Sequence, residues 1–158
     1  MVEPFNFTTP QMRDLLDFIL NNEDHDFYFT ENNARVYVTD KASMKRFFKQ
    51  CSCSYLKIEK GNVLGFISAW KSLNAGRSRY YVKLNAINAK VAEDLIIALL
   101  WKINKELFVK IRHDSKFVAP LKHKGFRFIG SKGIQILLNK KYIPKEVKLY
   151  QKEDDMVS

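Results

Sequence analysis

The stretch RYYVKLNAINAKVAEDLIIALL, residues 79–100, constrains the fold of this chain more than any other. It reads as an apolar and aromatic strand-like run, a short polar break at Asn88, and then apolar residues at helical spacing. Val91, Ala92, Leu95, Ile96, Leu99, Leu100 and Ile103 recur one helical turn apart. A second strand-like run, ELFVKIRH, follows almost directly. Strand, helix and strand in this order call for a right-handed crossover that sets the two strands parallel in one sheet. The expected fold class is therefore α/β (α+β), a central mixed sheet with flanking helices. Its central strands are expected at 55–59, 63–71, 79–86 and 107–112, with the helix over 91–103 packed on them.

The rest of the chain fits around that crossover. TPQMRDLLDFILNN gives a helix with Thr9 as its expected N-cap and Pro10 at the first helical position. Two β-rich runs flank Glu31-Asn32-Asn33, the mark of a hairpin. Ser43 is the expected cap of a short helix through MKRFFKQC. SYLKIEK and VLGFISAWKSL alternate in polarity around the turn pair Gly61-Asn62. Downstream, SKFVAPLKHKG reads as a short helix ended by Gly125, and FRFIG and GIQILLNKK as a strand pair around Ser131-Lys132-Gly133. At 158 residues the chain can bury one substantial core. One domain is expected over 1–150, followed by a short acidic tail over 151–158.

Charge narrows the partners. The formal net charge is +10 but unevenly placed: residues 1–40 hold two basic and eight acidic side chains, residues 41–152 hold 25 and six. A body this basic favours phosphate-rich or acidic partners. Alternation puts Arg79, Tyr81 and Lys83 on one face of their strand and Tyr80, Val82 and Leu84 on the other. The first face either stacks a base beneath phosphate contacts or forms a sheet surface under a helix. Arg77, Lys122, Lys124 and Arg127 extend the cationic character of the nucleic-acid reading.

No window approaches the roughly 20 apolar residues of a membrane span, and MVEPFNFTTP lacks the pattern of a signal peptide. A cytoplasmic protein is expected, monomer or homodimer. Cys51 and Cys53, with His113 and His123, supply ligand types without zinc spacing, so no metal is expected. At the strand–helix break two readings stand side by side. Asn88 as N-cap and Lys90 as a mobile cation suit an anion on the first N–H groups of the helix. A capped structural helix, its dipole compensated by Glu93 and Asp94, suits the same residues.

The phrases GNVLGFISA, RYYVKLNAI, VAEDLIIALL and HKGFRFIGSKG, in that order over roughly residues 40–140, make the chain resemble the GNAT family of acetyl-CoA-dependent N-acetyltransferases. The resemblance implies that RYYVKLNAI splays from its neighbour and that acetyl-CoA or another acyl-CoA lies in the gap. Backbone groups at Leu84 and Ala86 would then pair with the pantetheine, and Asn88, Ala89, Lys90, Val91 and Ala92 would wrap the pyrophosphate. The glycine-like positions of the family turn are filled by Ala89 and Ala92. The family's usual tyrosine acid falls on Leu121, and its turn-starting Asn on Asp114. That leaves the acid to Tyr142, Tyr80, Tyr81 or a water, and the base for the acceptor amine to Glu59, Asp114 or a water. The expected function is acyl transfer to an amine. The alternative is a GNAT-like module without catalysis that binds nucleic acid, a ribonucleoprotein or an acidic partner protein.

Overall fold

The computed structural model describes residues 1–22, 27–74 and 77–141, without the side chains at 73, 74, 77 and 78. Its elements are β1 (Val2–Pro4), α1 (Thr9–Asn21), β2 (Tyr28–Glu31), β3 (Ala34–Tyr37), α2 (Lys41–Gln50), β4 (Cys53–Glu59), β5 (Asn62–Asn74), β6 (Arg77–Ala86), α3 (Ala89–Lys102), β7 (Leu107–Arg112), α4 (Val118–His123), β8 (Arg127–Lys132) and β9 (Gln135–Lys140). Seven strands form one mixed sheet in the order β1-β4-β5-β6-β7-β9-β8, and β2–β3 is a separate hairpin. The expected crossover is present: β6 and β7 are parallel neighbours joined through α3. Among the described residues, no helix is long and apolar enough to cross a membrane.

Local chemistry places most boundaries within a residue or two of expectation. Thr8, extended at φ −67° and ψ 152°, is the N-cap of α1, so Thr9 and Pro10 both lie inside the helix. The cap of α2 is Asp40 rather than Ser43. Ser43 stands three residues in, donating its N–H to Asp40 Oδ1 (2.8 Å) while its hydroxyl accepts from Asp40 N–H (3.1 Å), a reciprocal capping box. Asn32 and Asn33, at φ 52° and 62°, make the β2–β3 turn, left-handed conformations that asparagine tolerates best after glycine. Lys60 and Gly61 make the β4–β5 turn at φ 51° and 78°. Asn62 therefore already belongs to β5, one residue earlier than the expected Gly61-Asn62 turn. β1 was not expected, because three residues carry no readable period; its register with β4 (Glu3↔Leu56) creates it.

Each face of the sheet buries a different chemistry. Alternation along β5 sends Phe66 and Trp70 to one side and Ile67 and Ala69 to the other. Under α1 and α2 lies an aromatic cluster including Phe18, Phe27, Phe47, Phe48 and Phe66. Phe27 stacks on Phe66 at 5.4 Å and meets Phe47 edge-on at 4.8 Å. Under α3 and α4 the core is mostly aliphatic, built from Ile67, Val82, Leu84, Leu95, Ile96, Leu99, Leu107 and Leu121. The sheet is thus fixed from both sides, which holds open an irregularity between two of its central strands.

Candidate active site

That irregularity is a fork. β6 and β7 pair only at Tyr80↔Leu107 and Tyr81↔Phe108, although β6 continues to Ala86 and β7 to Arg112. On its other edge β6 stays paired with β5 as far as Ala86↔Gly65, and Ile87 N donates to Leu64 O at 2.9 Å. In an antiparallel ladder the hydrogen-bonded pairs alternate. Counting back by twos from Ile87, the backbones of Asn85, Lys83 and Tyr81 face β5. Those of Val82, Leu84 and Ala86 therefore face β7: the Tyr81↔Phe108 pair takes the Val82 N–H, and Leu84 and Ala86 lie past it, on the gap. Gly65 makes this close pairing feasible: a Cβ there would meet Asn85 O at 2.7 Å and Ala86 Cα at 2.9 Å.

The fork opens a cavity of about 860 Å³, lined among others by Trp70, Tyr81, Val82, Lys83, Leu84, Asn85, Phe117 and the hairpin residues Tyr28 and Phe29. Tyr81 stands at the crotch, with Trp70 at 6.2 Å and Phe108 at 5.8 Å between ring centroids. Lys110 Nζ lies 5.1 Å over the Tyr81 ring, and Lys83 Nζ 5.0 Å over Phe27. Asp114 also lines the cavity. Arg112 Nε and Nη2 donate to its two oxygens at 3.1 and 3.2 Å, and these bonds hold its carboxyl below the ordinary range.

Beyond the cavity, only Ile87 and Asn88 separate β6 from α3. Asn88 is the expected cap: its side chain accepts from Val91 N–H at 2.9 Å. The first turn of α3 contains no acid. The expectation that Glu93 and Asp94 quench the helix dipole is therefore corrected, because both turn sideways. Glu93 Oε1 meets His123 Nδ1 at 2.9 Å and Lys124 Nζ at 3.4 Å, and hydrogen bonding from His123 leads in lowering its pKa. Burial pushes the Asp94 carboxyl up, but Lys90 (3.1 Å) and Lys57 (3.2 Å) outweigh it and leave it lowered. Lys90 is thus at the helix start as expected, tethered but largely exposed.

The remaining expected residues are dispersed. Leu84 lines the cavity, Ala86 ends the same strand, and Ala89, Lys90, Val91 and Ala92 form the start of α3 outside the cavity wall. Glu59 is not at the cavity: with Tyr55 and Lys57 it occupies the alternate positions of β4 on the α3 side, 3.9 Å from Lys57 Nζ. Leu121, where the family tyrosine falls, is fully buried in the aliphatic core. Tyr142 and the expected tail lie outside the described residues, as does the Arg77 side chain. The expected face of Arg79, Tyr81 and Lys83 is not one open surface, since Tyr81 is buried among rings. Lys83 lines the fork, while Arg79 and Arg127 line a second cleft of about 1070 Å³. Lys122 is exposed on α4, and Lys124 is half-buried against Glu93.

The cysteines are single and free. Burial pushes the Cys51 thiol up to about 12, which removes it as a nucleophile. Among the described residues, no three His, Cys, Asp or Glu side chains gather as a metal site would require. Sequence reasoning missed Lys110, Arg112 and Lys116, three cations on the cavity wall. Their signal was present in KIRHDSK, where Lys110 and Arg112 alternate on a strand known to flank the gap.

No family model matches this chain, and no curated protein matches it. Solved structures do. A ribosomal-protein-alanine N-acetyltransferase from Brucella melitensis is 14% identical, with 89% of this chain and 99% of that chain covered at a TM-score of 0.68. An acetyltransferase of the GNAT family from Streptococcus pneumoniae is 16% identical, covering 89% and 98% at 0.63. An aminoglycoside 6'-N-acetyltransferase complexed with coenzyme A is 10% identical, covering 91% and 98% at 0.69. With a seven-stranded mixed sheet, four helices and the β6–β7 fork among its described residues, this chain has the GNAT fold.

Proposed function

We propose that the chain is an acyl-CoA-dependent N-acyltransferase. The observation that carries the reading is the fork, whose one edge presents backbone groups of Leu84 and Ala86, past the last strand pair with β7. Those groups suit the amides of a pantetheine arm, paired as a strand would be. At the end of the same strand, the acid-free first turn of α3 and the Lys90 ammonium suit a pyrophosphate. A similar structure was solved with coenzyme A, in line with this donor. When bound, acyl-CoA supplies the activated thioester.

The residues of the chain then divide the work. An acceptor amine enters from the side of Tyr28, Trp70 and Lys83 and attacks the thioester carbonyl, so that the N–C bond forms as the C–S bond breaks. Backbone N–H groups at the fork steady the charge growing on the carbonyl oxygen. Tyr81 gives its proton to the departing thiolate, because it lines the fork whereas Tyr80 lines the other cleft. The amine proton leaves through water, since Asp114, lowered by Arg112, is a weak base. Titration calorimetry with acetyl-CoA is the test, and saturable binding is expected. Lys90→Glu should weaken it about tenfold, the scale of one lost charge-assisted contact. Tyr81→Phe should keep affinity while turnover falls roughly 10²–10⁴-fold, the range for a lost acid. An absence of binding heat removes the reading.

A second reading keeps the fold without catalysis and gives the second cleft to nucleic acid. It is favoured by the cations there: among the described residues, Lys71, Arg79, Lys105, Arg127, Lys140 and Lys141 line it against one carboxylate, Glu106, which accepts from Asn139 Nδ2 at 2.5 Å.

A further inference from the structure

Among the described residues, four polar side chains are buried: Ser43, Ser68, Asn85 and Asn139. Three of them are answered within the fold. Ser43 bonds to Asp40, the Ser68 hydroxyl meets that of Ser54 at 2.8 Å, and Asn139 donates to Glu106. Asn85, 5% exposed, makes no side-chain hydrogen bond with the described residues. Yet every fully enclosed side-chain nitrogen or oxygen among those residues has a partner. The Asn85 carboxamide therefore opens on the fork cavity, which it lines. The register agrees. Asn85 stands opposite Phe66, so both side chains leave the sheet on the face of α1 and α2, where Tyr28, Phe29 and Trp70 also line the cavity. The backbone beneath is fixed: β6 stays paired with β5 to Ala86↔Gly65, with no room for a methyl group between Gly65 and Asn85 O.

We propose that Asn85 selects the acceptor, an amine that carries an uncharged amide group, with that amide paired to the Asn85 carboxamide and the amine turned toward the thioester. The inference rests on the acyltransferase reading for the reaction, whereas the amide subsite itself does not depend on it. A carboxamide offers an acceptor oxygen and N–H donors side by side. A ligand amide answers both, its N–H donating to Asn85 Oδ1 and its carbonyl accepting from Nδ2. A carboxylate has no N–H for Oδ1. An alkyl group leaves both atoms unpaired once it displaces water from them, and an unpaired buried polar group is costly. A site built on such a group rejects an analogue lacking the match far more sharply than an apolar pocket rejects a change of size. The direction also fits the reaction. The backbone groups of Leu84 and Ala86, suited to the donor, lie in the plane of the sheet, while the Asn85 side chain between them rises from its α2 face. Donor and acceptor thus reach the fork from different sides.

The sequence holds two tryptophans, Trp70 on the cavity wall and Trp101, 87% exposed on α3. In the full chain carrying Trp101→Phe, the emission of Trp70 reports occupancy of the fork. Three amines are titrated: glycinamide, isobutylamine, which keeps its shape without the amide, and glycine, which replaces the amide by a carboxylate. Glycinamide should shift the emission saturably and bind about tenfold more tightly than either of the others, the scale of one buried group left unpaired. Adding Asn85→Leu should erase its preference over isobutylamine, and Asn85→Ala should do the same. Both amines meet both proteins, so their own basicity cancels from the comparison. Cooperative unfolding in urea establishes that each variant is folded, and either variant alone suffices. The proposal is overturned by no saturable shift with glycinamide, by binding no tighter than that of isobutylamine or glycine, or by a preference that persists in a folded Asn85 variant. Acetyl-CoA is titrated calorimetrically in the Trp101→Phe chain: an absence of that heat with the amide preference intact defeats the acyltransferase reading and leaves the subsite standing.

Discussion

Gly65 is where a missing side chain matters most. Its φ is not left-handed, so the requirement is space: an added Cβ would lie 2.7 Å from Asn85 O and 2.9 Å from Ala86 Cα, both backbone atoms that cannot rotate away. Gly65→Ala should destabilise the fold by about 1–3 kcal/mol, the usual cost of overpacking, read as a lower urea midpoint at unchanged slope. The same push would displace the end of β6, so acetyl-CoA affinity should fall with it. Tyr81 makes a complementary point. Its identity as a fork residue follows from alternation, but its burial between Trp70 and Phe108 follows from the sheet register, which pairs it with both. Sequence alone left that ring as either an exposed stacking platform or a covered surface, and packing chose the second.

At the scale of elements, α3 and α4 are joined through Glu93, which meets His123 and Lys124. The Glu93 carboxyl is held below its ordinary 4.5, chiefly by the His123 hydrogen bond. A carboxyl lowered in the folded state contributes stability in full above its unfolded pKa and loses it as pH falls through the folded value. Stability of the wild-type chain should therefore decline on the acid side of 4.5 partly through this link. Glu93→Gln should flatten that part of the curve and leave the neutral-pH fold intact, as urea midpoints measured across the acid range would record. An acid limb unchanged by the substitution would remove the link from the account. The helix start behaves as its sequence suggests, with Asn88 capping Val91. What its sequence could not supply is the direction in which Glu93 and Asp94 point, since that depends on Lys57, His123 and Lys124 arriving from other elements.

For the whole molecule, cations among the described residues line two separate hollows rather than one face alone. If the second cleft takes nucleic acid, binding should persist near physiological salt against heparin, and Arg127→Glu should weaken it for all sequences alike while reducing the salt slope by about one charge. Binding that vanishes near physiological salt assigns those cations to solubility and steering instead. Tyr81→Ala, by contrast, should act on folding rather than on base stacking, because the ring is enclosed.

By itself the sequence determined the crossover, the strand order around it and the class of sheet, because hydrophobic period and turn chemistry are local properties that survive without tertiary context. It also determined the cap at Asn88 and the hairpin at Asn32-Asn33, where one residue's own conformational preference decides the geometry. The family resemblance implied the splay, but only the tertiary structure placed it after Tyr81↔Phe108, since where a fork opens depends on which strand pairs end and not on what either strand prefers. It likewise decided that Glu59 faces α3 while Lys110 and Arg112 line the fork with Asp114. Charges that are far apart in the chain meet only when the sheet brings their strands to one edge, and that meeting sets what the cavity can hold.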